Sequence, residues 1–427
     1  VTVELDDLDY HLPPELIAQQ PLDPRDAARL LVCRGATPAV AAAGAAGLAL
    51  EDRHVRELPG LLHPGDLLVR NDTRVLAART YFRRPSGGRL EVLFLHELGD
   101  EAASAVDRVA DAPVLETAAA APGTDPDASA DRRTRVEAAE TPGAPLRDEE
   151  VWEVLVRGRP RVGERLCCVA DDTWRLDVVH RFGDGRWLVR NTAGTPVQTL
   201  LARHGETPLP PYIRLPLDDP ERYQTTFAAQ SGSAAAPTAG LHFTRQLDRR
   251  LAEAGVQIAE LTLHVGLGTF KPLDDATLRG GRLHAERFTV PQEVWRRVSA
   301  TRAAGGRVVA VGTTVVRALE HVAASAAPLQ PAASPVGGDD AGGTDDVTAT
   351  ATGGGTIRGT TDLLISPGYR FRVVDALLTN FHLPGSSLLA LTMAFCGVEQ
   401  TRAVYRHAVA RRYRFYSLGD AMLAIDR

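Results

Sequence analysis

The stretch PQEVWRRVSATRAAGGRVVAVGTTVVRALEHVAA, residues 291–324, decides the fold class. Proline opens a helix, Gly305–Gly306 ends it, and RVVAVG is apolar enough for a strand buried on both faces. A second helix starts at Thr313 and Thr314. FTRQLDRRLAEAGVQIAELTLHV at 243–265 repeats the first half, a helix, a stop at Gly255 and a strand. Alternating helix and strand predicts an α/β layered domain.

Working outward, the periodicity changes. VWEVLVRG at 151–158, then RLCCVA, WRLDVVHRF and RWLVRN, are short strands joined by short turns. They predict a small β-barrel or sandwich. The expected organisation is an α/β layered domain (1–98 and 207–427) interrupted by a small β-barrel domain (150–206), with the strands before 99 as candidates for the same barrel. Residues 99–149 are rich in Ala, Asp, Glu, Pro and Thr and predict a disordered insertion; 325–359 predicts a second, loose one. Near the start, PPELIA predicts a short helix, VRELPGLLHP at 55–64 a helix or turn, and GDLLVRNDTRV at 65–75 a strand ending in polar residues.

The chain of 427 residues is 44% hydrophobic and 24% charged, ordinary values for a soluble protein, with a formal net charge of -6. The acidic total argues against broad nonspecific nucleic-acid binding and leaves room for a local basic face. Lys271 is the one lysine, so arginine abundance here is compositional and is poor evidence of phosphate recognition. Cys33, Cys167, Cys168 and Cys396 form no Cys-x-x-Cys, which predicts neither a disulfide framework nor a zinc site, and points to reduced thiols in a cytoplasmic setting. The acidic, patterned VTVELDDLDYHLPPELIAQQ does not read as a signal peptide, and no apolar run reaches the ~20 residues of a membrane span.

Chemistry-bearing residues cluster after strands. In ELTLHVGLGTF, 260–270, period-2 alternation puts Glu260, Thr262 and His264 on one face. A dinucleotide loop would need a third glycine and a helix behind it; Gly266 and Gly268 are followed by Thr269, Phe270, Lys271 and Pro272. A turn at a pocket rim is the remaining functional reading, beside a plain turn. AAAPTAGLHF at 234–243 brings small residues, Thr238 and Gly240 among them, up to His242. At a helix start that imidazole would resist protonation. Gly312, Thr313 and Thr314 between strand and helix offer caps or an anion site, with Arg317 on the same face. RLHAERF sets His284 and Glu286 two apart, an acid–base pair on one strand face or an exposed edge. VVDALLTNFHLPGSS supplies Asp375, Asn380 and His382; NDTR at 71–74 supplies Asn71, Thr73 and Arg74 past a strand end. P-loop, zinc-peptidase and G-x-S-x-G motifs are absent.

Together, PELIAQQP, PGDLLVRNDTRV, GGRLEVLFL, PLPPYI, ERYQTTFA, AAPTAGLHFT, LTLHVGLGTFKP, LHAE, AVGTTVVRALE, PGYRFRVVDALLTNFHLP and YRFYSLGDAML resemble the S-adenosylmethionine:tRNA ribosyltransferase-isomerases of queuosine synthesis. The resemblance runs from about residue 10 to 425 outside the two insertions. It implies an α/β domain with a β-barrel. The implied reaction joins S-adenosylmethionine to tRNA whose anticodon arm carries 7-aminomethyl-7-deazaguanine. The implied product is epoxyqueuosine-tRNA, with release of adenine and methionine and no metal or further cofactor. It implies His242, His264 and Glu286 as catalytic. Substrate binding falls to Asn71, Thr73, Arg74, Thr238, Gly240, Gly266, Gly268, Thr269, His284, Thr313, Thr314, Arg317, Asp375, Asn380 and His382. Gly281 and Leu418 depart from the family pattern, where histidine and tyrosine are usual. The alternatives are a paralogue acting on a small amine or free deazapurine, and a non-catalytic tRNA or nucleoside binder. His242 and His264 lie one helix and one strand apart, which predicts that adjacent strand–helix connections bring them together.

Overall fold

The computed structural model describes residues 4–35, 48–98, 150–182, 185–266, 273–325 and 355–425. The 99–149 insertion lies outside them, as do Gly268 and Thr269. Of the second expected insertion only its edges are described: Ser325 ends a helix and residues 356–359 belong to a strand. The described chain forms two compact units, Val1–Ala78 with Thr207–Arg427, and Arg79–Glu206.

The first unit opens with β1 (Arg29–Arg34), β2 (Ala49–His54), β3 (Leu67–Asn71) and β4 (Thr73–Val75). The second unit is a closed barrel of β5 (Arg79–Arg83), β6 (Arg89–Leu98), β7 (Val151–Arg157), β8 (Arg165–Cys168), β9 (Arg175–Arg181) and β10 (Arg186–Asn191). Every neighbouring pair is antiparallel. Its interior holds Phe82, Phe94, Trp152 and Trp174 in edge-to-face and stacked contacts with ring centroids 5.2–6.5 Å apart. Helix α1 (Val197–His204) follows β10.

The chain then returns to the first unit through β11 (Gln230–Ser233), β12 (Gln257–Leu263), β13 (Arg282–Pro291), β14 (Val308–Val311), β15 (Thr356–Leu363), β16 (Ala376–Asn380) and β17 (Ala421–Ile425). Its helices are α2 (Arg245–Glu253), α3 (Asp275–Gly280), α4 (Gln292–Ala303), α5 (Thr313–Ser325), α6 (Ser387–Cys396) and α7 (Val398–Ala410). Nine strands form one sheet in the order β15-β13-β12-β3-β14-β16-β17-β1-β2, and β4 pairs with β11 beside it. At the centre β12, β3, β14 and β16 run parallel.

Strand alternation sorts the core. Val69, Leu261, Leu263 and Ala310 face α4 and α5, meeting Val294, Val298, Val315 and Leu319. Leu68, Val309, Val311 and Leu378 face the other layer, with Leu247 and Leu251 of α2. Both faces are covered, which is why RVVAVG is apolar without a break. The α/β layered domain interrupted by a small β-barrel is therefore the fold. One local expectation changes and another is made specific. PPELIA forms only a three-residue 3-10 turn, Pro14–Leu16, since Ile17 leaves it to bridge Phe415; Val55–Gly60 is likewise 3-10, with Pro59 inside it.

Candidate active site at the strand ends

Four parallel strands end on one side, the place where α/β sheets bind ligands. Asn71 at the end of β3 organises it. Its Oδ1 accepts from the amides of Leu263 (3.0 Å) and Thr73 (3.1 Å), and its Nδ2 donates to the Leu263 carbonyl (2.9 Å) and to Thr314 Oγ1 (3.2 Å). The side chain thus extends the β3–β12 ladder and ties it to the start of α5. Asn71 is 1% exposed and its hydrogen-bonding capacity is used. These bonds tie the ends of β3 and β12 to the first turn of α5.

His264 follows β12, half-buried, with Nδ1 2.9 Å from Thr73 Oγ1. Gly232 (φ 141°) lies flat against the ring: a Cβ there would stand 2.9 Å from Cε1 and 3.0 Å from Nδ1. Burial, then Arg287, pushes the imidazole pKa down. On the same polar face Thr262 donates to Asp72 Oδ1 at 2.6 Å, and Glu260 pairs with Arg70, which Asp248 also holds. Burial and Glu260 raise the Asp72 pKa. Behind the turn, the Gly266 amide donates to Glu286 Oε1 (2.8 Å) while Arg317 of α5 grips Oε2. Arg317 also donates to the carbonyls of Leu363 (3.0 Å) and Thr361 (3.1 Å).

At the end of β16, Asn380 Nδ2 donates to the Tyr416 carbonyl (3.2 Å), and Oδ1 accepts from Thr238 Oγ1 (3.1 Å). That carbonyl fixes the amide orientation, so Nδ2 also donates to His242 Nε2 (3.2 Å) and the His242 proton sits on Nδ1. His242 is 4% exposed and lines a small pocket with Arg25, Arg222, Ser417 and Leu418. Its pKa falls to about 4, through burial first and then Arg414 and Arg25. His242 ends the 3-10 turn Thr238–His242, and α2 is capped later by Thr244, so helix-start electrostatics are not what keeps it neutral. His382 bonds Thr379 Oγ1 through Nε2 at 2.8 Å, and burial lowers its pKa to about 3. All three imidazoles are uncharged at neutral pH.

Several sequence-predicted residues sit elsewhere. Asp375 precedes β16, at the far end of the strand from Asn380, where its carboxylate accepts from the Val308 amide at 3.0 Å. It does not line the site. His284 is exposed while Glu286 is 5% exposed, because the β13–β15 register shifts between Arg282 and Glu286. The shift breaks the shared face expected of that pair. Arg317 braces Glu286 and two carbonyls instead of standing open to substrate. Arg74 lies at the surface against Glu221. Gly240 packs on Thr225 and Phe227, each 2.9 Å from where its Cβ would be. Thr313 and Thr314 are buried at the first turn of α5. His242 and His264 do not meet. His264 follows β12 and His242 is held by Asn380 of β16, and β3 and β14 lie between those two strands, which stand three spacings apart, roughly 14 Å. Asp72 is the residue that motif reading passed over, although NDTR was in view; its signal was an acid at a strand end between two site residues.

A doubly covered α/β sheet that sets neutral imidazoles, a buried carboxylate and threonines along its strand ends is an enzyme's scaffold. The family model described as queuosine biosynthesis protein matches residues 5–424. The S-adenosylmethionine:tRNA ribosyltransferase-isomerase of Rubrobacter xylanophilus is 41% identical over 421 residues, 98% of this chain and 97% of that protein. The protein of the same name from Aromatoleum aromaticum is 42% identical over 429 residues, 100% and 99% of the two chains. A crystal structure of S-adenosylmethionine tRNA ribosyltransferase from Thermotoga maritima is 31% identical, covers 98% of this chain and 100% of its own, and superposes with a TM-score of 0.46. The chain belongs to the S-adenosylmethionine:tRNA ribosyltransferase-isomerase family of queuosine biosynthesis, and is an enzyme. Among the described residues no helix is long and apolar enough to cross a membrane, and no group of three metal-ligating side chains converges.

Proposed function

We propose that the chain transfers and isomerises the ribosyl part of S-adenosylmethionine onto 7-aminomethyl-7-deazaguanine in a tRNA anticodon arm, giving epoxyqueuosine-tRNA, adenine and methionine. The reading rests on the row of neutral histidines at the strand ends, set in a chain that its family covers almost completely.

The sulfonium acidifies the ribose C5′ protons. A neutral imidazole takes one, leaving an ylide-like carbanion, and the imidazolium holds the proton for return. His264 is suited to this step, since it is the least buried of the three and Thr73 and Gly232 fix its ring. Adenine leaves more readily once protonated, the substrate amine attacks, and the epoxide closes as methionine departs. Glu286, held by Gly266 and Arg317, carries negative charge beside the His264 turn, where it orients the amine or steadies a cation. His242, neutral and fixed by Asn380, serves as a hydrogen-bonding group at the other end of the row.

The test is adenine release from S-adenosylmethionine with and without tRNA bearing the deazapurine amine. Release that requires the tRNA supports the reading. Release with the free base or a small amine alone would move the chain to a small-molecule transferase, and no release with either would make it a binder. The four free thiols accord with a cytoplasmic location, which fractionation would check.

A further inference from the structure

The barrel's charge is sorted by end. Because all neighbouring barrel strands are antiparallel, the turns β5–β6, β7–β8 and β9–β10 share one rim. Their sequences are RRPSGGR at 83–89, RGRPRVGER at 157–165 and RFGDGR at 181–186. They carry nine arginines against two acids, Glu164 and Asp184 (the latter outside the described residues). The opposite rim comprises 97–98, 150–151, 169–175 and 190–206, including α1, and carries three arginines against five acids. A compositional preference for arginine would enrich both rims alike. The asymmetry is therefore positional, and it escapes the objection that arginine is this chain's default cation.

These arginines are also available. Arg83, Arg89, Arg157, Arg159, Arg161 and Arg181 are exposed, and none makes an ion pair with a described carboxylate. Arg84 is occupied by Glu164, Arg165 by Asp177 and Arg186 by Glu153, which leaves six of the nine. Rings hold some guanidiniums in place: Arg89 stacks 3.9 Å over Tyr81, Arg181 lies 5.3 Å from the Trp187 ring and Arg186 5.2 Å from Phe182. A guanidinium fixed on an aromatic face loses less entropy on binding an anion. The acidic insertion of residues 99–149 joins the barrel at Leu98 and Glu150, both on the other rim.

We propose that this arginine rim of the barrel is the surface that holds the phosphate backbone of RNA. Rows of unpaired arginine interleaved with aromatic rings suit a polyanion, and the spread over three turns suits several successive phosphates. The inference rests on the reading that the acceptor is a tRNA.

Arg157→Glu/Arg159→Glu/Arg161→Glu tests it, with Arg175→Glu/Arg203→Glu on the opposite rim as control. Binding of an anticodon-arm RNA is followed by fluorescence anisotropy from 50 to 300 mM salt. The rim variant is expected to bind about tenfold or more weakly, and its log Kd against log salt to flatten by about 2, since three phosphate contacts are lost. KM for S-adenosylmethionine and the melting temperature stay at the wild-type value. The control variant keeps wild-type RNA affinity. Equal losses in rim and control variants would overturn the inference, because only net charge would then matter. So would an unchanged slope in the rim variant, or rim-dependent capture of anionic vesicles without RNA affinity. If the triple variant melts early, Arg159→Gln/Arg161→Gln carries the same test, expected to flatten the slope by about 1.5. A wild-type protein that binds no RNA and releases adenine without it would defeat the functional reading itself, a result distinct from loss of the rim effect alone.

Discussion

Gly232→Ala probes whether His264 works where the structure puts it. The residue sits at φ 141°, and the new methyl would lie 2.9 Å from Cε1, 3.0 Å from Nδ1 and 3.3 Å from Nε2 of the imidazole. Ordinary carbon contacts begin near 3.5 Å, so the ring must move by about 0.6 Å. It cannot slide freely, because Thr73 Oγ1 holds Nδ1 at 2.9 Å and a shift of that size ends the hydrogen bond. Backbone strain of ~1–3 kcal/mol and overpacking of ~1–3 kcal/mol predict destabilisation of about 2–5 kcal/mol in urea melts. A catalytic base displaced by that much loses near-attack geometry, so kcat for adenine release should fall between about tenfold and a hundredfold. Soluble enzyme is compared at 15 °C, where the variant remains folded. If stability drops as expected while kcat stays within about twofold of wild type, His264 is a packing residue and its role in proton transfer is refuted.

Glu286→Gln leaves an acceptor for the Gly266 amide but strips the charge facing buried Arg317, so it should lose about 3–5 kcal/mol of stability along with turnover; a loss under ~1 kcal/mol in melts would contradict the ion pair. The acid limb of stability belongs to His242 and His382. Their folded pKa values, about 4 and about 3, lie below the unfolded value near 6.5, so the unfolded chain binds protons first as pH falls. Stability contributed this way is complete above pH 6.5 and declines by ~1.4 kcal/mol per pH unit for each histidine, about 4 kcal/mol for the pair at pH 5; His242→Gln/His382→Gln should flatten that decline in melts at pH 7.5 and 5.0. Asp375→Ala orphans the Val308 amide and should lose about 1–3 kcal/mol while kcat is unchanged; a collapse of kcat at retained fold would return it to the site.

The layered fold was legible because its signals are local. RVVAVG needs cover on both faces, Gly305 at φ 78° can end a helix, and prolines can begin one. The barrel was legible from strand spacing, while the strands before residue 99 were candidates for it without a signal that decided the matter. β5 and β6 precede the long insertion, and only pairing of Glu91 with Arg157 and of Phe82 with Cys168 brings them into one closed sheet. Pairing across some fifty intervening residues leaves no periodic trace in the sequence.

The site shows the same limit more sharply. Residue types near strand ends were found, but their geometry depends on strand order, which no motif encodes. His242 and His264 are near along the chain; His264 follows β12 while His242 bonds Asn380 of β16, and β3 and β14 lie between those strands, so the pair becomes the two ends of a row. Asp375 and Asn380 seemed one cluster; five residues of extended chain carry them to opposite ends of β16. His284 and Glu286 seemed one face until a register shift turned the histidine out. A row also suits the proposed substrate better than a pair. S-adenosylmethionine must present a sulfonium-activated carbon, a leaving purine and an amino-acid tail at once, and these groups lie far apart on one extended molecule. One paired acid and base could attend to a single bond. Polar groups along ~14 Å of strand ends can hold several, with His264 and Glu286 near one group and His242 with Asn380 near another. Single substitutions at the two ends should then fail differently: His264→Gln mainly in kcat, and Asn380→Ala, which frees the His242 ring, in KM for S-adenosylmethionine as well. Identical kinetic defects at both ends would mean that the row acts as one centre and that the separation has no chemical meaning.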